Sequence, residues 1–262
     1  MKIHDFKKRK EAHKKISMVT CYDYPSASMV AESDIDCALV GDSVAMVVHG
    51  YDSTVMATMD MMVLHTRAVA RGIGRQFLIA DLPFLAHRTS RAQTVRNVHR
   101  LMQAGAHAVK IEGGDLDTCE SIAYLVKSGV PVIGHIGLTP QSIHQLGYKV
   151  QGKESHHALR LKEEAGRLET AGCTALVIEC VPSALAKEIT EILSIPTIGI
   201  GAGHCTDGQV LVWHDLLALQ TAFKPKFVKQ YAQGKADFLK ALNAYAHEVR
   251  DTLYPSETYS YD

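Results

Sequence analysis

The sequence has no surplus of charge: 28 lysines and arginines stand against 28 aspartates and glutamates. A chain so balanced lays down no electrostatic footprint for nucleic acid. It also lacks any apolar run near the ~20 residues that would span a bilayer, and its basic start is not followed by an apolar segment. The expectation is a cytoplasmic protein, neither membrane-spanning nor secreted. The six cysteines (Cys21, Cys37, Cys119, Cys173, Cys180 and Cys205) include no Cys-x-x-Cys pair and no short metal spacing. Several sit among apolar neighbours, as buried thiols in a reducing compartment do. No Ser/Gly-rich linker divides the 262 residues, of which 47% are hydrophobic. One large domain with ample core fits that length, with a short basic lead-in ("FKKRKEAHKK") read as a solvated face and a peripheral C-terminal tail.

What is present is a rhythm. Short apolar or β-branched runs recur at 16–20, 37–40, 76–80, 107–111, 130–134, 174–178 and 195–200. They are nearly continuous rather than alternating, as in parallel strands covered on both faces. Helix-like segments fill the intervals at 59–71, 91–105 and 154–172, and the last two end in Ala-Gly, a helix stop. Strands joined through helices form a parallel sheet. Seven or eight such units in one chain favour a (β/α)8 TIM barrel over a doubly wound sheet. The eighth strand is the hardest to see, with "PKFVKQY" (225–231) the best candidate. Glycine-rich 199–208 invites a phosphate reading but does not fit the dinucleotide fingerprint, and a tight turn accounts for it.

Polar residues fall where the apolar runs end. Asp42 and Ser43 follow the second strand, and Asp81 follows the third. Lys110 and Glu112 close the fourth, His135 follows the fifth, and Glu179 ends the sixth. A single polar residue after a strand is usually a turn or cap. Recurrence at five successive strands is different, because the C-terminal mouth of a barrel is where its loops converge and active sites form. Lys110 and Glu112 are two apart, so both point into the barrel while Val109 and Ile111 face the helices. Buried charges are costly unless paired or bound to a ligand or metal. Asp42, Asp81 and Glu112 form a carboxylate set suited to a hard divalent cation such as Mg²⁺. His156 and His157 lack metal spacing on their helix and read as surface residues.

"TCYDYPSA", "LVGDS", "GYDST", "HTRAVARG", "ADLPF", "VKIEGG", "GHIGLTPQS", "GYKVQG", "ECVP", "IPTIGIGAG", "TDGQVLV" and "KPKFVKQY" occur in this order. Together they resemble the ketopantoate hydroxymethyltransferase family over nearly the whole chain. The resemblance implies a (β/α)8 barrel, Mg²⁺, and transfer of a hydroxymethyl group from the co-substrate 5,10-methylenetetrahydrofolate to 3-methyl-2-oxobutanoate through a Mg²⁺-stabilised enolate. That is the first committed step toward pantothenate and coenzyme A. It also implies a homo-oligomer, typically a decamer. Carried over, the metal carboxylates fall on Asp42 and Asp81, with Glu112 in or beside the shell. The keto-acid contacts fall on Asp42, Ser43, Asp81 and Lys110, the catalytic base on Glu179, and a site histidine on His135. Three loop positions depart from the family pattern: Ala45, Met56 and a glycine stretch one residue short near Gly147. The alternatives are another metal-dependent carbon–carbon lyase or mutase of the phosphoenolpyruvate-mutase type, an imine-forming aldolase using Lys110, and a non-catalytic barrel that binds a keto acid.

Overall fold

The computed structural model describes residues 1–220 and 224–261. Met1–Val212 and Trp213–Asp262 form two compact units. In the first, eight strands close into an all-parallel barrel in sequence order: β1 (Ile16–Thr20), β2 (Cys37–Val40), β3 (Phe77–Asp81), β4 (Ala108–Glu112), β5 (Val132–Gly137), β6 (Ala175–Glu179), β7 (Thr197–Ile200) and β8 (Gly208–Leu211). The helices are α1 (Ile3–Glu11), α2 (Tyr24–Glu32), α3 (Val44–Val47), α4 (Met59–Gly72), α5 (Arg91–Gln103), α6 (Leu116–Lys127), α7 (Ile143–Leu146), α8 (Ser155–Thr170) and α9 (Ser183–Ile192). The second unit holds α10 (Trp213–Leu216) and α11 (Gly234–Arg250).

Three of the longer helices start where the sequence supplies a cap. Thr58, Ser90 and Asp115 each accept the N–H three residues on, opening α4, α5 and α6. Gly105 and Gly172, at φ of +110° and +94°, follow the ends of α5 and α8.

The seven expected strands form within three residues of their expected positions. The eighth does not. Residues 225–231 form no strand, and β8 lies instead at Gly208–Leu211, seven residues after β7 with no helix between. It pairs in parallel with both β7 and β1, closing the barrel. A four-residue strand led by glycine, with exposed Gln209 in it, offers no apolar run to read. The glycine is needed for closure: a Cβ at Gly208 would lie 2.4 Å from the Ile16 carbonyl oxygen and 2.6 Å from Ile198 Cδ1.

One alternation organises the interior. Met18, Leu39, Ile79, Ala108, Ile133, Ala175, Val177, Ile198 and Val210 belong to one buried apolar cluster. Two or four residues further along β3, β4, β5 and β6, the same inward face carries Asp81, Lys110, Glu112, His135 and Glu179. The apolar lower layers support the polar upper one. Phe6 of α1 joins the lower layers, fully buried and edge-on to Phe77 at 5.1 Å. The basic face of the same helix is tied down by Arg9 to Asp36 and by Lys10 to Asp207.

Candidate active site

The strand registers bring the upper residues side by side. Asp81 is level with Lys110, Glu112 with His135, and Gly137 with Glu179. Lys110 Nζ lies 3.3 Å from Asp81 Oδ2, 3.5 Å from Glu112 Oε1 and 3.1 Å from His135 Nδ1. His135 Nδ1 is 3.2 Å from Glu112 Oε1, and its Nε2 is 3.3 Å from Glu179 Oε2. Asp42, Ser43, Asp81, Lys110, Glu112, His135 and Glu179 all line one small cavity of about 100 Å³, so the structure brings every expected site residue together. Its other wall is apolar: Leu39, Val177, Ile200, Val210 and Val212.

The backbone sets Glu179 with care. Cys180, the next residue, holds a left-handed φ of +47°. Its N–H donates to the Ile200 carbonyl at 2.9 Å, and its own carbonyl accepts from Gln151 N–H at 2.8 Å. Those bonds hold a conformation that a residue with a Cβ disfavours. Gly137 crosses so close to β6 that a Cβ there would meet the Glu179 carbonyl oxygen at 2.1 Å.

Burial drives the electrostatics. Asp42 and Asp81 are almost fully buried, and burial raises the pKa of both. For Asp42 the charges of Glu112 and Asp81 push the same way; for Asp81, Lys110 partly offsets burial. Burial would also raise Glu112, but Lys110 and His135 overcome it and hold that carboxyl down at about 2. Lys110 is raised above the ordinary lysine value, since Asp81, Glu112 and Asp42 outweigh its burial, and so stays an ammonium.

These residues fit a hard divalent cation. Three buried carboxylates share a single lysine, and burial holds two of them, Asp42 and Asp81, above the ordinary aspartate value. Asp81 Oδ1 is buried with no hydrogen-bond partner. Both Glu112 oxygens are engaged, Oε1 by His135 and Oε2 by the Gln141 N–H at 3.1 Å. Asp42 and Asp81 would hold the ion, with Glu112 beside it; Mg²⁺ sites commonly use one or two carboxylates and complete their shell with water and substrate. His156 and His157 are exposed at the start of α8 and contribute nothing to the cavity.

Two supporting residues carry no charge signal in the sequence. Gln141, in a short turn after β5, donates Nε2 to Asp42 Oδ2 at 2.8 Å and to the Leu82 carbonyl at 2.9 Å. Tyr22, just past β1, is buried, and its hydroxyl is 2.8 Å from Ser43 Oγ. Burial raises its pKa and keeps it a neutral phenol. Neither residue is ionised at a strand end, which is the pattern that revealed the others. The three departures from the family pattern sit outside this chemistry: Ala45 is buried in α3, Met56 is half-exposed, and Gly147 follows α7 at φ +68°.

The whole-chain comparisons agree with this geometry. A 3-methyl-2-oxobutanoate hydroxymethyltransferase of Legionella pneumophila (strain Lens) is 66% identical over all 262 residues, covering 100% of both chains. One from Coxiella burnetii (strain CbuG_Q212) is 51% identical, covering 100% of this chain and 99% of its own. Among solved structures, phosphoenolpyruvate phosphomutase from Streptomyces platensis subsp. rosaceus superposes with a TM-score of 0.65 at 12% identity, covering 96% of this chain and 88% of that one. That likeness concerns the fold alone. The family model for ketopantoate hydroxymethyltransferase matches residues 1–257, and the chain belongs to that family.

Proposed function

We infer that the polar end of the barrel is where this chain carries out its reaction. The chain transfers a hydroxymethyl group from 5,10-methylenetetrahydrofolate to 3-methyl-2-oxobutanoate, giving ketopantoate for pantothenate and coenzyme A synthesis. The observation that carries the placement is the cavity's two-sided lining, acidic and cationic at the ends of β2–β5 and apolar along β6–β8 together with Leu39, with Glu179 at the boundary. A 2-oxo acid with an isopropyl branch matches it. Its two oxygen groups face Asp42, Ser43, Asp81 and Lys110, and its branch lies against Val177, Ile200, Val210 and Val212. The C3–H bond then falls beside Glu179.

Glu179 takes the C3 proton as general base, with His135 Nε2 3.3 Å from its carboxylate. As the proton leaves, negative charge moves to the ketone oxygen, where the Lys110 ammonium stabilises it. A Mg²⁺ held by Asp42 and Asp81 would supply Lewis-acid stabilisation of the same charge. Ser43, anchored by Tyr22, orients the carboxylate. The C3 electron pair then forms a bond to the folate's methylene carbon, both C–N bonds that bridge that carbon break, water provides the hydroxyl oxygen, and the two folate nitrogens take up the C3 proton and one proton of the water. Beside Glu112 a wider groove of about 770 Å³ opens past Gly113 and Gly114, edged by Arg88, Arg160 and Arg167. It offers the folate room beside the cavity.

An imine route through Lys110 is disfavoured because its amine is held protonated by two carboxylates and is not a nucleophile. The test is incubation of the protein with both substrates and Mg²⁺, following ketopantoate. Product formation is expected. Its absence, or carbon–carbon cleavage of a 2-oxo acid instead, would overturn the assignment. The same reading makes the chain a cytoplasmic homo-oligomer, with a decamer as the expected size. No helix among the described residues is long and apolar enough to cross a membrane.

A further inference from the structure

Between β2 and α4 the chain makes a single 3-10 turn, Thr54–Met56. Its first residue is 3% exposed and lines the same cavity as Asp42, Ser43, Lys110 and Glu179. Thr54 Oγ1 has no hydrogen-bond partner. Buried hydroxyls almost always have one, and leaving one bare costs stability. The turn is firmly placed: Ser53 Oγ accepts the Val55 N–H at 3.2 Å, and the turn packs against α3 on one side and the turn carrying Gln141 on the other. A hydroxyl held rigidly, buried and unpaired at a binding cavity is a donor kept for a ligand.

The ligand atom follows from what the other groups already address. Asp42 and Asp81 are acceptors and suit the cation. Lys110, held between Asp81 and Glu112, addresses the ketone oxygen, and Glu179 the C3 proton. The donors on the β2 side are Ser43, at the start of α3, and Thr54 on the turn packed against it. We propose that Thr54 is a further substrate-binding residue, its hydroxyl donating to a carboxylate oxygen of the 2-oxo acid alongside Ser43. This rests on the keto acid occupying the cavity as described above.

The test is calorimetric binding of 3-methyl-2-oxobutanoate in the presence of Mg²⁺, with melting of the ligand-free proteins measured in parallel. Thr54→Val keeps the side chain's shape and removes the hydroxyl. It is expected to weaken keto-acid binding about tenfold or more, as loss of a hydrogen bond to a charged group does. The ligand-free variant should melt no lower than wild type, because the bare hydroxyl was a cost. Thr54→Ser should bind within about threefold of wild type. Equal binding by Thr54→Val would overturn the role. So would weakened binding that comes with a lower melting temperature and is not rescued by serine, since that marks a structural residue. Wild-type protein that binds no keto acid would overturn the placement of the substrate, and this role with it.

Discussion

At Lys110 and Glu112 the barrel buries two full charges one turn of the pleat apart, and their neighbours decide what each can do. Lys110 is the common cation for Asp81, Glu112 and Asp42, so it cannot be exchanged for a neutral residue without stranding carboxylates. Glu179 is the only one of these acids that is not deeply buried, its side chain 17% exposed. That suits a group which must give its proton back after each turnover. Glu179→Gln is therefore expected to lower turnover by about two to four orders of magnitude, the usual range for a lost general base, while keto-acid binding persists. Exchange of the substrate's C3 hydrogen with deuterated water, followed by NMR, should fall in parallel; exchange at the wild-type rate would remove Glu179 from that role. His87 gives a separate prediction about stability. Burial, aided by the Arg88 charge, pushes its pKa down to about 4. The unfolded chain binds this proton near pH 6.5 and the folded one only near 4, so stability is full above 6.5 and falls as acid is added between those values. The loss amounts to about 3 kcal/mol at 1.36 kcal/mol per pH unit. A melting series from pH 7 to pH 4 should slope downward toward acid, and His87→Gln should flatten it.

Helix α1 illustrates what an element contributes beyond its own sequence. Its composition is that of a solvated surface helix, and one residue, Phe6, alters its role by entering the bottom of the barrel. Truncating a fully buried phenylalanine costs about 3–5 kcal/mol. In a protein of this size that corresponds to a melting temperature lower by about 10 °C. Phe6→Ala should show this loss and keep its turnover per folded molecule well below the new midpoint, because the site lies at the opposite end of the strands. A melting temperature unchanged within error would mean that the helix is not part of the cooperative core. The loops after β5 and β6 work in the other direction. Gly137 and Cys180 adopt left-handed backbone to bring two strand ends within contact, and through them Glu179 is aimed at the cavity.

The second unit carries a different signal. Along α11, Phe238, Leu239, Leu242, Tyr245 and Val249 recur at helical spacing and are all exposed. An apolar stripe of this kind is the mark of an interaction surface, and on the proposed homo-oligomeric reading a second copy of the chain would cover it. Light scattering is expected to give an even multiple of the protomer mass, ten on the family's pattern. Leu242→Glu should shift the distribution toward smaller species. A monodisperse monomer in the wild type would refute the assembly.

The sequence by itself determined the barrel and most of its site, because both are written in local pattern. Apolar runs of strand length separated by amphipathic intervals specify parallel βα units. Charge at the end of successive runs, and Lys110 and Glu112 sharing one parity, placed the acids and the lysine at the mouth. Only tertiary structure decided the rest. The strand β8 was hidden because closure against β1 and β7 selects a small glycine-led segment rather than an apolar one. Gln141 and Tyr22 were hidden because a neutral side chain acquires its contacts only from what stands opposite it, and the role proposed for Thr54 is hidden for the same reason. The division of charge among Asp42, Asp81 and Glu112 likewise depends on burial and distance, which exist only once the strands are side by side.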